Sequence, residues 1–394
     1  MLIHLVSIDN FISYMHTCSF NFHYSYSIYY TQKFYELDND ILKNYLNEQE
    51  ITEQRKCLVI IDEYVNKLYP SLYTKLTRYF EHHQLNIKLL DFYTLLPGEK
   101  SKNSFETLSN AYELIKDREI DRHSFIMSIG GGSTNDVAGL IASTAHRGIK
   151  HIRIPTTVLA QNDAAIGVKN GVNFQGKKNF IGTFSVPELI INDFSFLETL
   201  ESRDYTSGYA EAIKISLIKD KDFFKWIESN SEELISRKKK EVQYLIETTA
   251  KLHTEHFAKS GDPFEKGSSR PLDYGHWLAH SLESLSGFEL RHGEAVGIGM
   301  YLDTLYAYKK GYLKSDLKEQ IITLIEKIGL FRHKSILEKI DHSILMESLN
   351  DFKAHLGGKL SIPLLYDIAL FKNHSDIDCQ MYLEIISEVL NSEN

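Results

Sequence analysis

Four short apolar runs in the first half of the chain, separated by helical stretches, constrain the fold more than any other feature. The runs are Cys57–Asp62 (CLVIID), Ile87–Phe92 (IKLLDF), Phe125–Ile129 (FIMSI) and His151–Ile154. Near-continuous apolar runs of this length are typical of strands in a parallel sheet, because such a sheet is buried on both faces. Between them, Val65–His82 and Ser104–Asp117 have the spacing of amphipathic helices. The alternation predicts a doubly wound α/β domain with a parallel sheet.

The chain changes character after Leu200. Long helical patterns cover Ser207–Ile218, Glu241–Lys259, Asp273–Leu285 and Gly293–Lys310. A length of 394 residues also favours two domains. We therefore expect an α/β domain over 15–200 and a mostly α-helical domain over 201–394. Residues 1–14 are expected to be a leader, or a segment upstream of a start at Met15.

An aromatic stretch precedes the first apolar run. Phe20, Phe22, Tyr24 and Tyr26 alternate with shorter or polar residues, which predicts a strand, one arm of a hairpin, packed on a domain face. The alternative, a surface that stacks nucleic-acid bases, would need basic residues that this stretch does not have.

Composition excludes several classes of function. The 44 Lys+Arg against 53 Asp+Glu give a net charge of −9, so no global basic field can hold nucleic acid or an anionic membrane. The sequence contains no run of 18 or more apolar residues, so it predicts no transmembrane helix. The 3 cysteines are far apart and form no C-x-x-C, which favours a reduced, cytoplasmic setting.

A glycine triplet marks the first candidate site. Gly130–Asp136 (GGGSTND) follows FIMSI and opens a helix rich in small residues. Glycines let backbone amides approach a phosphate, and a helix N-terminus favours negative charge. The loop is neither G-x-G-x-x-G nor a P-loop, which disfavours an ordinary Rossmann dehydrogenase or an NTPase. Asp62, at an earlier strand end, either accepts a ribose hydroxyl or caps the next helix.

Two further groups of polar residues follow. After Pro155-Thr156-Thr157, the stretch Gln161–Asn170 and Lys177-Lys178-Asn179 form either a convergent polar lining or a plain surface loop. In the helical half, His276 and His280 are four residues apart and share a helix face. His292 and Glu211 complete a set from which one Glu and two His could form a catalytic zinc site. Spacing alone would nominate His276 and His280 as the pair, and a chance cluster stays open.

These motifs occur in an order that resembles one family. The order is G-E-K-S-K (98–102), G-G-G-x-x-x-D, P-T-T, the D-x5-K of Asp163 and Lys169, K-N, A-E-x-x-K, H-x3-H and R-H-G-E, from about residue 55 to 365. The chain resembles the sugar-phosphate cyclases, whose best-known member is 3-dehydroquinate synthase. The resemblance implies the fold of that enzyme, with an NAD-binding α/β domain and a helical domain for metal and substrate. It also implies that NAD oxidises a hydroxyl transiently, phosphate is eliminated, the ketone is reduced and an intramolecular aldol step closes the ring.

The resemblance also implies roles for individual residues. The ligands of one divalent metal, Zn or Co, would be Glu211, His276 and His292, which leaves His280 on the substrate side. The other catalytic residues would be Lys169, Lys214, Glu265 and Asp273. The leaving phosphate would be surrounded by Arg147, Lys178, Asn179, Lys214 and Lys353. NAD would be held by Asp62, Glu99, Lys102, Gly131, Gly132, Asp136, Thr156, Thr157, Lys169, Lys178 and the turn from Phe196 to Thr199. We expect a homodimer that binds a small phosphorylated sugar as its substrate.

Departures from the family pattern bear on the substrate. Glu255 stands where dehydroquinate synthases carry a Lys, Asp273 replaces an Asn, and the arginine for the substrate carboxylate is displaced to Arg270. The R-P-L-D-Y-G-H-W version is similar to that of 2-epi-5-epi-valiolone synthases, which cyclise sedoheptulose 7-phosphate, and we predict this reaction or a related one. The alternatives left open are 3-dehydroquinate synthase proper, a metal-dependent polyol dehydrogenase of the same fold, and a degenerate, non-enzymatic cyclase.

Overall fold

The computed structural model of the chain describes residues 3–391 apart from 9–10, 22, 50, 52, 260–263 and 265–270. Glu265 and Arg270, both predicted at the substrate site, lie outside the described residues.

The strands form one large parallel sheet and three hairpins. The strands are β1 (Ile3–Ile8), β2 (Phe11–His16), β3 (Ser27–Thr31), β4 (Arg55–Asp62), β5 (Ile87–Leu95), β6 (Phe125–Gly130), β7 (Lys150–Pro155), β8 (Lys169–Phe174), β9 (Lys177–Phe184), β10 (Leu189–Asp193), β11 (Ile362–Asp367) and β12 (Leu370–His374). Within the described residues, six of them form a parallel sheet in the order β3-β10-β7-β6-β4-β5. The chain passes from β4 outward to β5 and then back across to β6. The topological switch point therefore lies between β4 and β6.

Helices flank the sheet and then build the second half of the chain. They are α1 (Ile41–Glu48), α2 (Glu63–Leu68), α3 (Leu72–His82), α4 (Phe105–Asp117), α5 (Gly132–Thr144), α6 (Ser202–Ser207), α7 (Tyr209–Lys219), α8 (Lys221–Ser229), α9 (Ser231–Ile235), α10 (Lys239–Lys259), α11 (His276–Leu285), α12 (His292–Lys309), α13 (Ser315–Ile328), α14 (Ile336–Lys339), α15 (His342–His355) and α16 (Cys379–Asn391). Short 3₁₀ turns lie at Gly98–Asn103, Ala145–Arg147, Phe194–Thr199 and Pro271–Asp273, and a π-helical turn at Ala160–Ala164. The predicted division at residue 200 falls between β10 and α6.

Successive buried side chains of the central strand β4 point to opposite faces of the sheet, as a doubly wound fold requires. Val59 and Ile61 belong to the core that the sheet shares with α1 and α3, whereas Leu58 and Ile60 belong to the core shared with α4 and α5. A third core joins the helices of the second half. The predicted fold class is confirmed. Within the described residues, no helix is long and apolar enough to cross a membrane.

Two local predictions need correction, and one open alternative is excluded. The aromatic alternation does not form a hairpin arm: the strand begins at Ser27, runs parallel to β10, and leaves Phe20 and Tyr24 77% and 60% exposed. The helix predicted over Val65–His82 is two helices, because Pro70 lies between them and has no N–H to donate. The stretch from residue 161 to 184 is not a plain surface loop, since most of it forms the π-helical turn and the hairpin β8–β9.

Candidate active site

Most of the predicted cofactor residues meet at one edge of the sheet. Five adjacent strands, β5, β4, β6, β7 and β10, end at this edge, because all of them are parallel. The residues that follow those ends are Asp62, the Glu99–Lys102 turn, Gly131, Gly132, Thr156, Thr157 and the Phe196–Thr199 turn. A crevice at the carboxyl ends of parallel strands, next to a switch point, is where doubly wound folds bind nucleotides.

The glycine loop can receive a phosphate. Gly131 precedes α5, and no described side chain caps that helix, so its first N–H groups remain available to an anion. A Cβ added at Gly131 would meet Thr157 Cγ2 at an ordinary 3.4 Å, so this glycine leaves open space. A Cβ at Gly132 would lie 2.9 Å from Ala164 Cβ, so Gly132 also serves packing.

Two of the predicted cofactor residues have structural roles as well. One carboxylate oxygen of Asp62 accepts the Tyr64 N–H at 2.8 Å, which confirms that Asp62 caps α2. Phe196 is buried, and its ring contacts that of Tyr69 with centroids 5.0 Å apart. A contact from Phe196 to NAD could therefore come only from the backbone of its turn.

A buried lysine joins the glycine loop to the hairpin β8–β9. Lys102 pairs with Asp136 at 2.7 Å and also donates to Asn179 Oδ1. Glu99 accepts the side-chain amide of Asn173 at 2.9 Å. Burial opposes the charge on Lys102, but the Asp136 and Glu99 carboxylates outweigh it and raise the pKa of Lys102. Three of the predicted cofactor residues, Glu99, Lys102 and Asp136, are thus joined to the hairpin β8–β9 by one polar network.

Arg153 holds the segment between β7 and β8. It is 1% exposed and donates to the backbone carbonyls of Ala165 at 2.9 Å and Gly167 at 2.6 Å, and to Asn170 Oδ1 at 2.7 Å. The sequence interpretation missed this role, because a charged residue inside an apolar run gives no sign of what it reaches.

Three side chains from three helices form a candidate metal centre. Glu211 lies near the start of α7, His276 begins α11 and His292 begins α12. Their ligand atoms all lie within 4.8 Å of one another, and Nε2 of each histidine is 3.5 Å from Glu211 Oε1. This spacing is long for a hydrogen bond, but two ligand atoms of a tetrahedral zinc ion stand roughly 3.3–3.5 Å apart. The donor set therefore fits one divalent ion.

The start of α11 is fixed by close packing. Gly275 has a φ of +75°, and a Cβ there would lie 2.7 Å from the Met300 backbone nitrogen. Its N–H donates to the buried carboxylate of Asp303 at 2.9 Å, which also accepts the Trp277 indole N–H at 3.1 Å. These contacts hold α11 against α12, so His276 faces His292.

The histidine nitrogens are oriented from behind. His276 Nδ1 contacts the Tyr274 carbonyl at 3.1 Å, and His292 Nδ1 contacts Glu283 Oε2 at 3.1 Å. Each contact engages Nδ1 as the donor and leaves Nε2 as the lone-pair side, which is the arrangement of metal-binding histidines. Burial, followed by the Lys214 charge, holds the pKa of His276 well below its usual value and keeps the ring neutral.

Cations and carboxylates alternate around this centre. Buried Lys214 pairs with Glu211, and burial is outweighed by the Glu211 and Asp163 carboxylates, so the pKa of Lys214 is raised. Lys178 pairs with buried Glu283 at 2.5 Å. Burial lowers the pKa of His280 to about 4, although Glu283 acts against this shift.

Sequence interpretation also missed an Asp–His pair beside the centre. Asp163 Oδ1 lies 2.7 Å from Nδ1 of His253 on α10. Burial would raise the pKa of Asp163, but His253 and Lys214 hold it well below its usual value. The carboxylate is presented by the π-helical turn, an irregularity that is frequent at functional sites.

The predicted phosphate set is not gathered in one place. Lys178 and Lys214 lie at the metal centre, whereas Asn179 points to the opposite face of β9, toward Lys102. Arg147 is exposed beyond the far end of α5, roughly 20 Å of helix from the glycine loop. Lys353 is exposed on α15, which packs against α11.

Comparison with known proteins agrees with this architecture. Models of the 3-dehydroquinate synthase N-terminal and C-terminal domains match residues 92–207 and 208–353. A 3-dehydroquinate synthase of Dictyoglomus turgidum is 38% identical over 292 residues, 74% of this chain and 80% of that protein. One of Prochlorococcus marinus is 33% identical over 365 residues, 90% of this chain and 97% of that protein.

A solved structure is similar over nearly the whole length. The 2-epi-5-epi-valiolone synthase of Streptomyces hygroscopicus, with NAD⁺ and Zn²⁺ bound, gives a TM-score of 0.84 at 25% identity, and the match covers 96% of this chain and 100% of that one. The resemblance predicted from the motifs is confirmed. The chain belongs to the 3-dehydroquinate synthase family of sugar-phosphate cyclases, which are phosphate-eliminating lyases.

Proposed function

We propose that this enzyme uses NAD and one divalent metal to cyclise a phosphorylated ketose that carries no carboxylate. Sedoheptulose 7-phosphate is the proposed substrate, and 2-epi-5-epi-valiolone or a related cyclitol is the product. The observation that carries the choice of substrate is the position of the Asp273 carboxylate. It lies beside the metal centre, where its charge, after those of Glu211 and Asp163, contributes to the raised pKa of Lys214.

The metal would be held by Glu211, His276 and His292, whose donor atoms and spacing fit a zinc-type ion. Such an ion acts as a Lewis acid that polarises a substrate hydroxyl for hydride loss. The dinucleotide would lie along the carboxyl edge of the sheet, with its pyrophosphate at Gly131. NAD supplies transient acceptance of the hydride, so the overall reaction needs no external oxidant.

Lys178 and Lys214 would stabilise the departing phosphate, because both cations are held at the centre by carboxylates. A phosphate that approaches either ammonium replaces part of an existing ion pair and does not meet a bare charge. His280 is the candidate for proton transfer. Its Nδ1 is engaged by Glu283, which leaves Nε2 as the nitrogen that can accept a proton.

The charge argument for the substrate rests on Asp273 and not on Glu255. Asp273 ends the 3₁₀ turn three residues before the ligand His276. The Glu255 side chain is 41% exposed and pairs with Lys259 at 2.8 Å on the surface of α10, so solvent screens it. A substrate carboxylate near Asp273 would meet like charge, whereas a hydroxyl could donate a hydrogen bond to the same oxygens.

The second candidate, 3-dehydroquinate synthase proper, is favoured by the curated relatives of that name at 33–38% identity. The phosphate-side lysines fit both cyclases equally. They give no support to the polyol dehydrogenase, which has no leaving phosphate to stabilise.

The test measures phosphate release from sedoheptulose 7-phosphate and from the carboxylated substrate of dehydroquinate synthase, with NAD and Zn²⁺ at fixed concentrations. We expect sedoheptulose 7-phosphate to give the higher kcat/KM, by a factor of about 5 to 150 for roughly 1–3 kcal/mol. The isosteric variant Asp273→Asn should narrow this ratio, and Glu255→Gln, which removes the same charge at the surface, should leave it unchanged. Faster turnover of the carboxylated sugar by the wild type would refute the proposal in favour of 3-dehydroquinate synthase.

A further inference from the structure

Glu283 is a buried carboxylate that is not among the predicted site residues. It lies on α11, three residues after His280, and is 4% exposed. Its Oε2 is 3.1 Å from His292 Nδ1 and 3.3 Å from His280 Nδ1, and its Oε1 is 2.5 Å from Lys178 Nζ. One carboxylate thus contacts a predicted metal ligand, a candidate proton-transfer group and a phosphate-side cation.

Two interpretations of this carboxylate differ in their chemistry. Glu283, His280 and His292 also place three donor atoms within 4.8 Å of one another, as a metal site would. That cluster shares His292 with the Glu211 centre, and it would need the Nδ1 nitrogens as ligands. Lys178 already balances the Glu283 charge at 2.5 Å, and its ammonium would repel a second cation. The geometry therefore favours Glu283 as an acceptor of N–H groups over Glu283 as a ligand.

We propose that Glu283 is a positioning residue, which acts on the metal through His292 and ties that ligand to Lys178 and His280. The proposal rests on the metal-dependent function proposed above and assigns a further residue to it. By accepting a hydrogen bond from Nδ1–H of His292, Glu283 fixes the ring so that Nε2 faces Glu211, and it makes that nitrogen a stronger metal ligand. The other histidine ligand differs, because His276 is oriented by the Tyr274 backbone carbonyl.

The consequence is that the metal and the phosphate side share one support. If a neutral amide replaces the Glu283 carboxylate, its single oxygen can serve either the two histidines or Lys178, and Lys178 loses its ion-pair partner. We therefore expect weaker metal binding and a higher KM for the sugar phosphate from a single substitution that removes no ligand.

The experiment uses the full-length protein loaded with Co²⁺, without substrate. Co²⁺ affinity, the visible absorption of the bound ion and NAD affinity are measured for wild type, Glu283→Asp and Glu283→Gln. The control Glu289→Gln removes the same charge at an exposed position between α11 and α12. We expect Glu283→Gln to weaken Co²⁺ binding about 10- to 100-fold and to shift its absorption bands, with a smaller effect for Glu283→Asp. NAD affinity should change less than Co²⁺ affinity, because Glu283 contacts two histidines of the metal side and, among the predicted cofactor residues, Lys178.

Each outcome decides between hypotheses. Wild-type Co²⁺ affinity and spectrum in a folded Glu283→Gln protein would overturn the positioning role. If that variant does not fold, Glu283→Asp is decisive, and an unchanged spectrum in it has the same meaning. Failure of the wild type itself to bind Co²⁺ would instead contradict the proposed metal-dependent function.

Discussion

Replacing Arg153 with methionine should lower both the stability of the protein and the order of the segment that follows β7. The guanidinium donates three hydrogen bonds, to the carbonyls of Ala165 and Gly167 and to Asn170 Oδ1. Burial lowers the pKa of Arg153 to about 10, so it stays charged at neutral pH. Methionine fills similar volume but leaves all three buried acceptors unpaired. At roughly 1 kcal/mol each, the low end for such groups, the loss is about 3 kcal/mol.

Urea denaturation of wild type and Arg153→Met measures this loss, and calorimetric NAD titration reports the state of the segment. We expect the variant to lose stability. We also expect it to bind NAD more weakly, because Lys169, a predicted NAD residue, begins β8 directly after the segment that Arg153 holds. The matched control is Arg118→Met, which breaks an exposed 2.8 Å pair with Asp91 and should cost less than about 1 kcal/mol. A loss below 1 kcal/mol for Arg153→Met would refute the account of Arg153 given above.

Three further outcomes are expected. Alanine variants of each of the three predicted metal ligands should lose bound zinc in elemental analysis, whereas His280→Ala should keep it; the reverse pattern for His276 and His280 would make the ligand assignment wrong. Gly131→Ala should weaken NAD binding about tenfold or more by calorimetry at unchanged melting temperature, since the added Cβ fits the fold but blocks a phosphate, and unchanged affinity would place the dinucleotide elsewhere. Burial raises the pKa of Asp303 to about 6. This group therefore contributes stability below pH 4 that is lost as the pH rises through 6. Between pH 4 and 7, the unfolding free energy of wild type should fall by about 3 kcal/mol more than that of Asp303→Asn. Parallel pH profiles of the two proteins would contradict this.

The sequence was most informative where burial is complete on both sides. The four apolar runs, among them Cys57–Asp62, all became strands of the sheet, because a central parallel strand has no solvent face to interrupt its pattern. The aromatic alternation at Phe20 failed for the opposite reason. Its period matches a strand, but the residues that pair with the sheet are Ser27–Thr31. This strand lies at the edge of the sheet, where its register is decided by its one neighbour there, β10.

The candidate site shows a similar division. The family resemblance placed Glu211, His276 and His292 in one set, whereas spacing alone would have paired His276 with His280, and the structure brings the first three together. Glu283 and His253 were missed, because their partners are far away in sequence. For Glu283 a local signal existed in the H-x2-E spacing from His280, which puts both side chains on one helix face. For His253, which meets Asp163 across the packing of α10 against the π-helical turn, we find no such signal.

Neighbouring residues of β9 turn in opposite directions: Lys178 reaches α11 and Asn179 reaches Lys102. The number of residues in β9 is therefore under evolutionary constraint, because it decides which side chain faces which partner. One residue inserted before Lys178 would bring that ammonium to Lys102, and one residue deleted there would bring the Asn179 amide to Glu283. The two-residue turn at Gln175 and Gly176 sets the pairing register of this hairpin, so its length is constrained as well. Among descendants of this chain, the strand should drift in composition on its exposed positions while its residue count stays fixed.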